Sequence, residues 1–259
     1  LAIPAAAWLG EVRWRQAAGA VAALALLVNV VLHERRTPEF HVTATLTPTL
    51  QAVVDWTRAQ PDDGRILLED SDDESGHQYD FTHLPALLPL WSGRAFIGGP
   101  YPYMYDRHHF AEFTGGRLSG VRVERFNRND LDAYCRVYNV TRVLVFSPEA
   151  RATFGRFPDL FMPLGSVGGK FFAYAVRRPG SFLLAGAAVS VRAELNRIRV
   201  ERPAGTEVLL SFHWIKTLAV RTPGVHLEGR AVGPDPIPFI RLTRTGPTWP
   251  LEIEIVNAY

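Results

Sequence analysis

The chain has 259 residues, 47% of them hydrophobic and 21% charged, with a net charge of +2. That composition excludes a disordered or fibrous chain and offers no basic tract for a phosphate backbone to follow, so nucleic acid is not an expected partner. A single cysteine, Cys135, excludes a disulfide framework and a thiolate-rich metal centre.

The first element is the run Ala17 to Leu32, AAGAVAALALLVNVVL, which carries no charge. Arg13 and Arg15 precede it, and His33, Arg35 and Arg36 follow. Crossing a bilayer takes about 20 mostly apolar residues, with a lower bound near 17, so a transmembrane helix over about 17–33 is expected. No small-residue cleavage site follows, which argues against a signal peptide. Arginines flank the run equally, so charge bias gives no orientation. The chain starts at Leu1 rather than Met, and it is read as a piece of a longer protein.

Thr47 and Pro48 suit the N-cap and first turn of a helix through Leu50, Val53, Val54 and Trp56, ending near Gln60 and Pro61. The turn Pro61-Asp62-Asp63-Gly64 then leads into RILLE, Arg65 to Glu69, a short buried strand. His83 to Leu90 reads as a helix and Arg94 to Ile97 as a strand, followed by a Gly98-Gly99-Pro100 turn and the aromatic string YPYMY. Asp106 to Phe113 reads as another helix. Asn129 is the expected cap of a helix through Leu131, Tyr134 and Val137, closed by Asn139 before the strand RVLVF. Ser147-Pro148 starts the next helix, and strands over Leu160 to Leu164 and Phe171 to Val176 follow. Cys135, among Tyr134, Val137 and Tyr138, reads as a buried structural thiol.

Beyond Gly180 the hydrophobic period becomes two, in SVRAEL, RIRVER, EVLLSF, LAVRT and PLEIEIV, with Pro and Gly turns between. The expected fold is α+β in three parts. A transmembrane helix and its flanks occupy 1–36, a mixed α/β domain 37–179, and a small all-β sandwich or jelly-roll-like domain 180–259.

Two clusters carry candidate chemistry. The first, Glu69 to Asp80, is rich in oxygen ligands and sits where open α/β sheets place their ligands, which makes a divalent cation or a sugar a candidate occupant. An EF-hand fails on spacing, because Gly76 comes one place late and Phe81 stands where the bidentate Glu belongs; a solvated acidic loop is the plainer alternative. The second cluster, Tyr101, Tyr103, Tyr105, Asp106, His108 and His109, combines aromatic faces with polar tips. The expected substrate-binding residues are Glu69, Asp70, His77, Asp80, Tyr101, Tyr103 and His108. No phosphate loop, dinucleotide fingerprint or nucleophile elbow is present, and catalytic residues and a metal centre are not identified.

Several stretches in order, TLQAVVDWTRAQPDDGRILLED, FTHLPALLPLWSGRAFIGGPYP, DLDAYCRVYNVTRVLVFSP and the β-rich tail with AELNRIRVE, resemble the C-terminal extracytoplasmic regions of bacterial multi-spanning membrane proteins of the GT-C glycosyltransferase-like kind, including the 6-pyruvoyl-tetrahydropterin-synthase-related membrane proteins. The resemblance implies an inner-membrane protein whose soluble part lies on the periplasmic side. It implies a polyprenyl-phosphate sugar donor, membrane lipid and a lipid-linked sugar or glycan acceptor as partners, and catalysis in an upstream loop. The alternative is a non-enzymatic, membrane-tethered binding or structural module of the cell envelope.

Overall fold

The computed structural model describes Val28 and residues 46–71, 84–98, 112–194 and 196–258. Thr47–Tyr259 form one compact unit.

Helix α1, Pro48–Arg58, begins where Thr47 Oγ1 accepts the Leu50 amide, with Pro48 in the first turn where its missing N–H costs nothing. It buries Val53, Val54 and Thr57. Strand β1, Arg65–Leu68, helix α2, Leu84–Ser92, and strand β2, Phe96–Ile97, follow. Three two-residue strands, β3 (Phe113–Thr114), β4 (Arg117–Leu118) and β5 (Val121–Arg122), make a small antiparallel sheet. Helix α3, Arg128–Val137, leads to β6, Val140–Val145; helix α4, Pro148–Gly155, then leads to the hairpin β7, Phe161–Val167, and β8, Phe171–Val176.

These strands form a five-stranded sheet in the order β2-β1-β6-β8-β7. β2, β1 and β6 are parallel, and β8 and β7 are antiparallel additions. Successive strand residues face opposite ways, so Leu67, Val143 and Val145 join Leu131, Cys135 and Phe154 of α3 and α4 in one core.

Residues after Gly180 build two four-stranded antiparallel sheets. One has the order β10-β11-β16-β13, with β10 Ser190–Glu194, β11 Arg197–Glu201, β13 Leu218–Val220 and β16 Glu252–Asn257. The other has the order β14-β15-β12-β9, with β9 Leu183–Ala187, β12 Ala204–His213, β14 Val225–Arg230 and β15 Phe239–Arg244. Val200, Val208, Leu210, Ile240, Leu242, Ile253 and Ile255 fill the space between them. The second sheet is also buried on its outer side, since Leu209 and Phe239 belong to the core shared with α3 and the mixed sheet.

This architecture corrects the α+β expectation of a transmembrane helix followed by an α/β domain. The described chain is mostly β, in four sheets, and among the described residues no helix is long and apolar enough to cross a membrane. The expected span over 17–33 lies outside the described residues apart from Val28. The physical reason is that the helices α1 to α4 are short covers of 11, 9, 10 and 8 residues, whereas several strands hide from periodicity. β15 buries the consecutive Phe239 and Ile240 because each faces a different core, so the alternation that marks a half-buried strand is lost. Phe113, read from sequence as the end of a helix, opens β3 instead. The cap of α3 also moves: Asn127 accepts the Asn129 and Asp130 amides, and Asp130 returns a bond to the Asn127 amide.

Candidate functional site

In an open sheet with parallel strands, ligands gather at the carboxyl ends of the strands where the winding direction reverses. Here β1 runs to β2 on one side, and the chain returns to β6 on the other. The reversal lies between β1 and β6, just beyond Leu68 and Val145.

Glu69 fills that position and is fully buried. Its Oε2 accepts the Phe146 amide at 2.8 Å and the Ser147 amide at 2.9 Å, and its Oε1 accepts the Gly116 amide at 3.1 Å. Ser147 caps α4, its Oγ accepting the Ala150 amide at 3.2 Å. A helix start beneath a parallel sheet is a ready anion site because its amides point outward unpaired. In this chain a carboxylate of its own takes that place. Burial raises the Glu69 carboxyl above the ordinary glutamate value, with the hydrogen bonds from Ser147, Phe146 and Gly116 pulling the other way.

Asp70 is fully buried beside it, with Oδ1 accepting the Ser71 amide at 3.1 Å. Residues 112–116 close the same edge. Thr114 forms a parallel bridge with Asp70 and Glu112 with Gly98, and the Asp70 amide donates to the Phe113 carbonyl at 2.8 Å. Gly98, with φ of 105°, lies so close to β1 that a Cβ would stand 2.1 Å from the Leu68 carbonyl oxygen; only glycine fits there. Of the other residues expected from sequence to bind substrate, His77, Asp80, Tyr101, Tyr103 and His108 lie outside the described residues. What the structure does give is their point of departure: the segments 72–83 and 99–111 follow β1 and β2, which are adjacent and parallel.

A second polar cluster was not visible in the sequence. Asp235, 5% exposed, accepts the Tyr138 hydroxyl on Oδ2 at 2.5 Å and the Ile237 amide on Oδ1 at 2.8 Å, and its Oδ2 lies 2.7 Å from His213 Nε2. Tyr138 follows α3, His213 ends β12, and Asp235 sits in the loop before β15, so sequence spacing gave no sign of the meeting. The only local signal was the turn Pro234-Asp235-Pro236. Burial and the adjacent Asp235 carboxylate push the Tyr138 hydroxyl well above its ordinary value, which keeps it a donor rather than a phenolate. The rings of Tyr138, His213 and Phe239 pack together, with centroid distances of 4.7 to 6.2 Å. The arrangement ties the end of α3 to the sandwich.

Arg65 makes a parallel tie from β1. Its guanidinium donates to the Tyr138 carbonyl at 2.6 Å, the Ser211 hydroxyl at 3.0 Å and the Ser211 carbonyl at 2.6 Å. It also lies over the rings of Phe182 and Phe212, at 5.2 and 4.7 Å. Desolvation lowers its pKa to about 10, so it stays charged at neutral pH. Cys135 is 1% exposed and burial pushes its thiol up to about 12, so it carries no thiolate at neutral pH.

Among the described residues no three His, Cys, Asp or Glu side chains gather as a metal centre. No family model, curated protein or solved structure matches this chain.

Proposed function

We propose that Thr47–Tyr259 act as a non-catalytic, ligand-facing part of a GT-C-like, sugar-transferring protein at the periplasmic face of the inner membrane, with the transfer chemistry carried elsewhere in that protein. The single observation behind this reading is that β1 and β2 are adjacent and parallel. The acidic segment after β1 and the tyrosine-rich segment after β2 therefore leave from one sheet edge, where hydroxyl-rich ligands meet carboxylates and aromatic faces together. The acceptor would be a lipid-linked sugar or glycan.

The test uses Asp80→Ala and Tyr103→Ala in the full-length protein, because Asp70 is buried and its loss would disturb the fold. Sugar transfer from a polyprenyl-phosphate donor should fall by about tenfold or more in both, with the thermal midpoint within a few degrees of wild type. Unchanged transfer in both variants rejects the reading.

One observation favours a second reading, a binding or structural module of the cell envelope with no transferase attached. The switch-point crevice, the usual ligand place in such a sheet, is filled by Glu69. Under this reading Asp80→Ala and Tyr103→Ala weaken glycan retention by the purified protein, and no transfer activity accompanies it.

A further inference from the structure

Three short strands continue the sheet edge past Asp70, and their register lines up one row of side chains. Asp70 pairs with Thr114 in a parallel bridge, Thr114 with Arg117 between β3 and β4, and Arg117 with Arg122 between β4 and β5. Residues directly opposite one another across strands face the same way. The row therefore runs on one face from a buried carboxylate through a hydroxyl to two exposed arginines. The other face is the anchor: Phe113 and Leu118 are fully buried, as is Val123 just past β5.

The hairpin that carries the arginines is fixed on all sides. The Ser119 amide donates to the Glu112 carbonyl at 2.8 Å, the Val123 amide to the Gly116 carbonyl at 2.9 Å, and the Gly116 amide to Glu69. Its two-residue turn holds Ser119 at φ of 53° and Gly120 at 74°, both left-handed, as a tight hairpin requires. Like charges directly opposite one another weaken a strand pair, yet two arginines are so placed here. Among the described residues neither forms an ion pair, and Arg117 donates only to the Gly120 carbonyl at 3.2 Å. The exposed Glu124 and Arg125 of the 3-10 turn Val123–Arg125 follow them in the chain. Next along the row, Thr114 is 6% exposed and its Oγ1 has no hydrogen-bond partner among the described residues.

We infer that the ligand of this sheet edge is a sugar bearing an oxyanion, a carboxylate or a phosphate, which Arg117 and Arg122 hold between them while the Thr114 hydroxyl donates to the same group. Cross-strand neighbours stand about 5 Å apart at Cβ, so both guanidiniums reach one oxyanion and bind it by charge-assisted hydrogen bonds. Their mutual repulsion is relieved when it binds. A neutral sugar leaves the two charges unmet, and a cation is repelled. The inference deepens the sheet-edge reading and rests on it for where the ligand lies, but it concerns binding alone and is tested without any transfer reaction.

The experiment titrates the 259-residue chain with glucuronate, glucose 1-phosphate, glucose and inorganic phosphate, following backbone amide shifts by NMR. Glucuronate or glucose 1-phosphate should shift the amides of residues 114–123 and bind about tenfold or more tighter than glucose and inorganic phosphate; which of the two does so distinguishes a carboxylate from a phosphate. Arg122→Gln, a change at an exposed side chain, should weaken that ligand by about tenfold without lowering the thermal midpoint, since it removes a like-charge contact. Raising the salt should weaken binding. Glucose or inorganic phosphate binding as tightly as the charged sugars, no shift within residues 114–123, or unchanged affinity in Arg122→Gln would each overturn the inference. Any of these results beside a fall in transfer in Asp80→Ala and Tyr103→Ala would refute the inference and leave the sheet-edge reading standing, whereas charged-sugar binding with transfer unchanged in both variants would do the reverse.

Discussion

Single residues decide how the sheet edge is closed. Glu69 satisfies three buried backbone amides at once, those of Phe146, Ser147 and Gly116. Leaving a buried donor unpaired costs about 1–3 kcal/mol each, less whatever water recovers. Glu69→Ala should therefore destabilise the chain by about 3 kcal/mol or more in urea unfolding, among the larger effects of a single replacement. The pH dependence has a definite sign. The folded carboxyl titrates above its ordinary value of 4.5 because burial disfavours the charge, so the folded state holds the proton more firmly than the unfolded chain. The stability Glu69 contributes is thus fully present below the ordinary glutamate value and diminishes as the pH rises through the raised folded value. The difference between wild type and Glu69→Ala should be largest in acid and shrink toward neutrality. A difference that grows with pH would contradict the assigned direction. Sequence reasoning placed Glu69 at the end of the buried strand RILLE and also, with Asp70, at the opening of the acidic stretch; the burial of both side chains follows from residues 112–116 folding back onto them, a contact more than forty positions away.

At the scale of the elements, local signals were read well where they are local in origin. The Thr47-Pro48 start of α1 and the Ser147-Pro148 start of α4 are set by a side chain reaching an amide three residues on, so the sequence contains the whole interaction. The start of α3 misled by two residues, because Asn127 and Asn129 are both good caps. What decides between them is Asp130, which can return a bond to the Asn127 amide and so complete a reciprocal box. Asn127→Ala should cost about 0.5–2 kcal/mol and lower the thermal midpoint by a few degrees, whereas Asn129→Ala, whose side chain caps nothing, should change it little. Equal effects at both positions would show that the cap is not where the geometry puts it. Strands were harder. Those with one buried face, such as β11 and β16, show their alternation plainly, and EVLLSF within β12 is recognised with them, whereas β15 is not singled out, because its consecutive Phe239 and Ile240 are buried against two different cores.

At the scale of the whole molecule the sheet β14-β15-β12-β9 is the shared wall. Its inner residues Val208, Leu210, Ile240 and Leu242 pack within the sandwich, and its outer residues Leu209 and Phe239 pack against α3 and the mixed sheet. Arg65 and Asp235 add polar ties across the same boundary. Separating the parts would expose that apolar surface and strand those groups, which favours unfolding as one cooperative unit. Denaturation followed by tryptophan fluorescence and by far-ultraviolet circular dichroism should give coincident single transitions. Phe239→Ala should shift both together by about 3–5 kcal/mol. Two separated transitions would sink the shared-core account. The sequence by itself determined the caps, the turns and the strands that alternate, because these arise from side chains acting on backbone within a few positions and from a period that one buried face imposes. It also determined that the chain is composed as a folded one with no basic tract. Only the tertiary structure decided which carboxylate fills the switch point, that Tyr138, His213 and Asp235 meet, and that the sandwich is covered on its outer face. Each of these depends on chain segments tens of residues apart being brought together, and no local period or spacing records which distant surface a residue will be buried against.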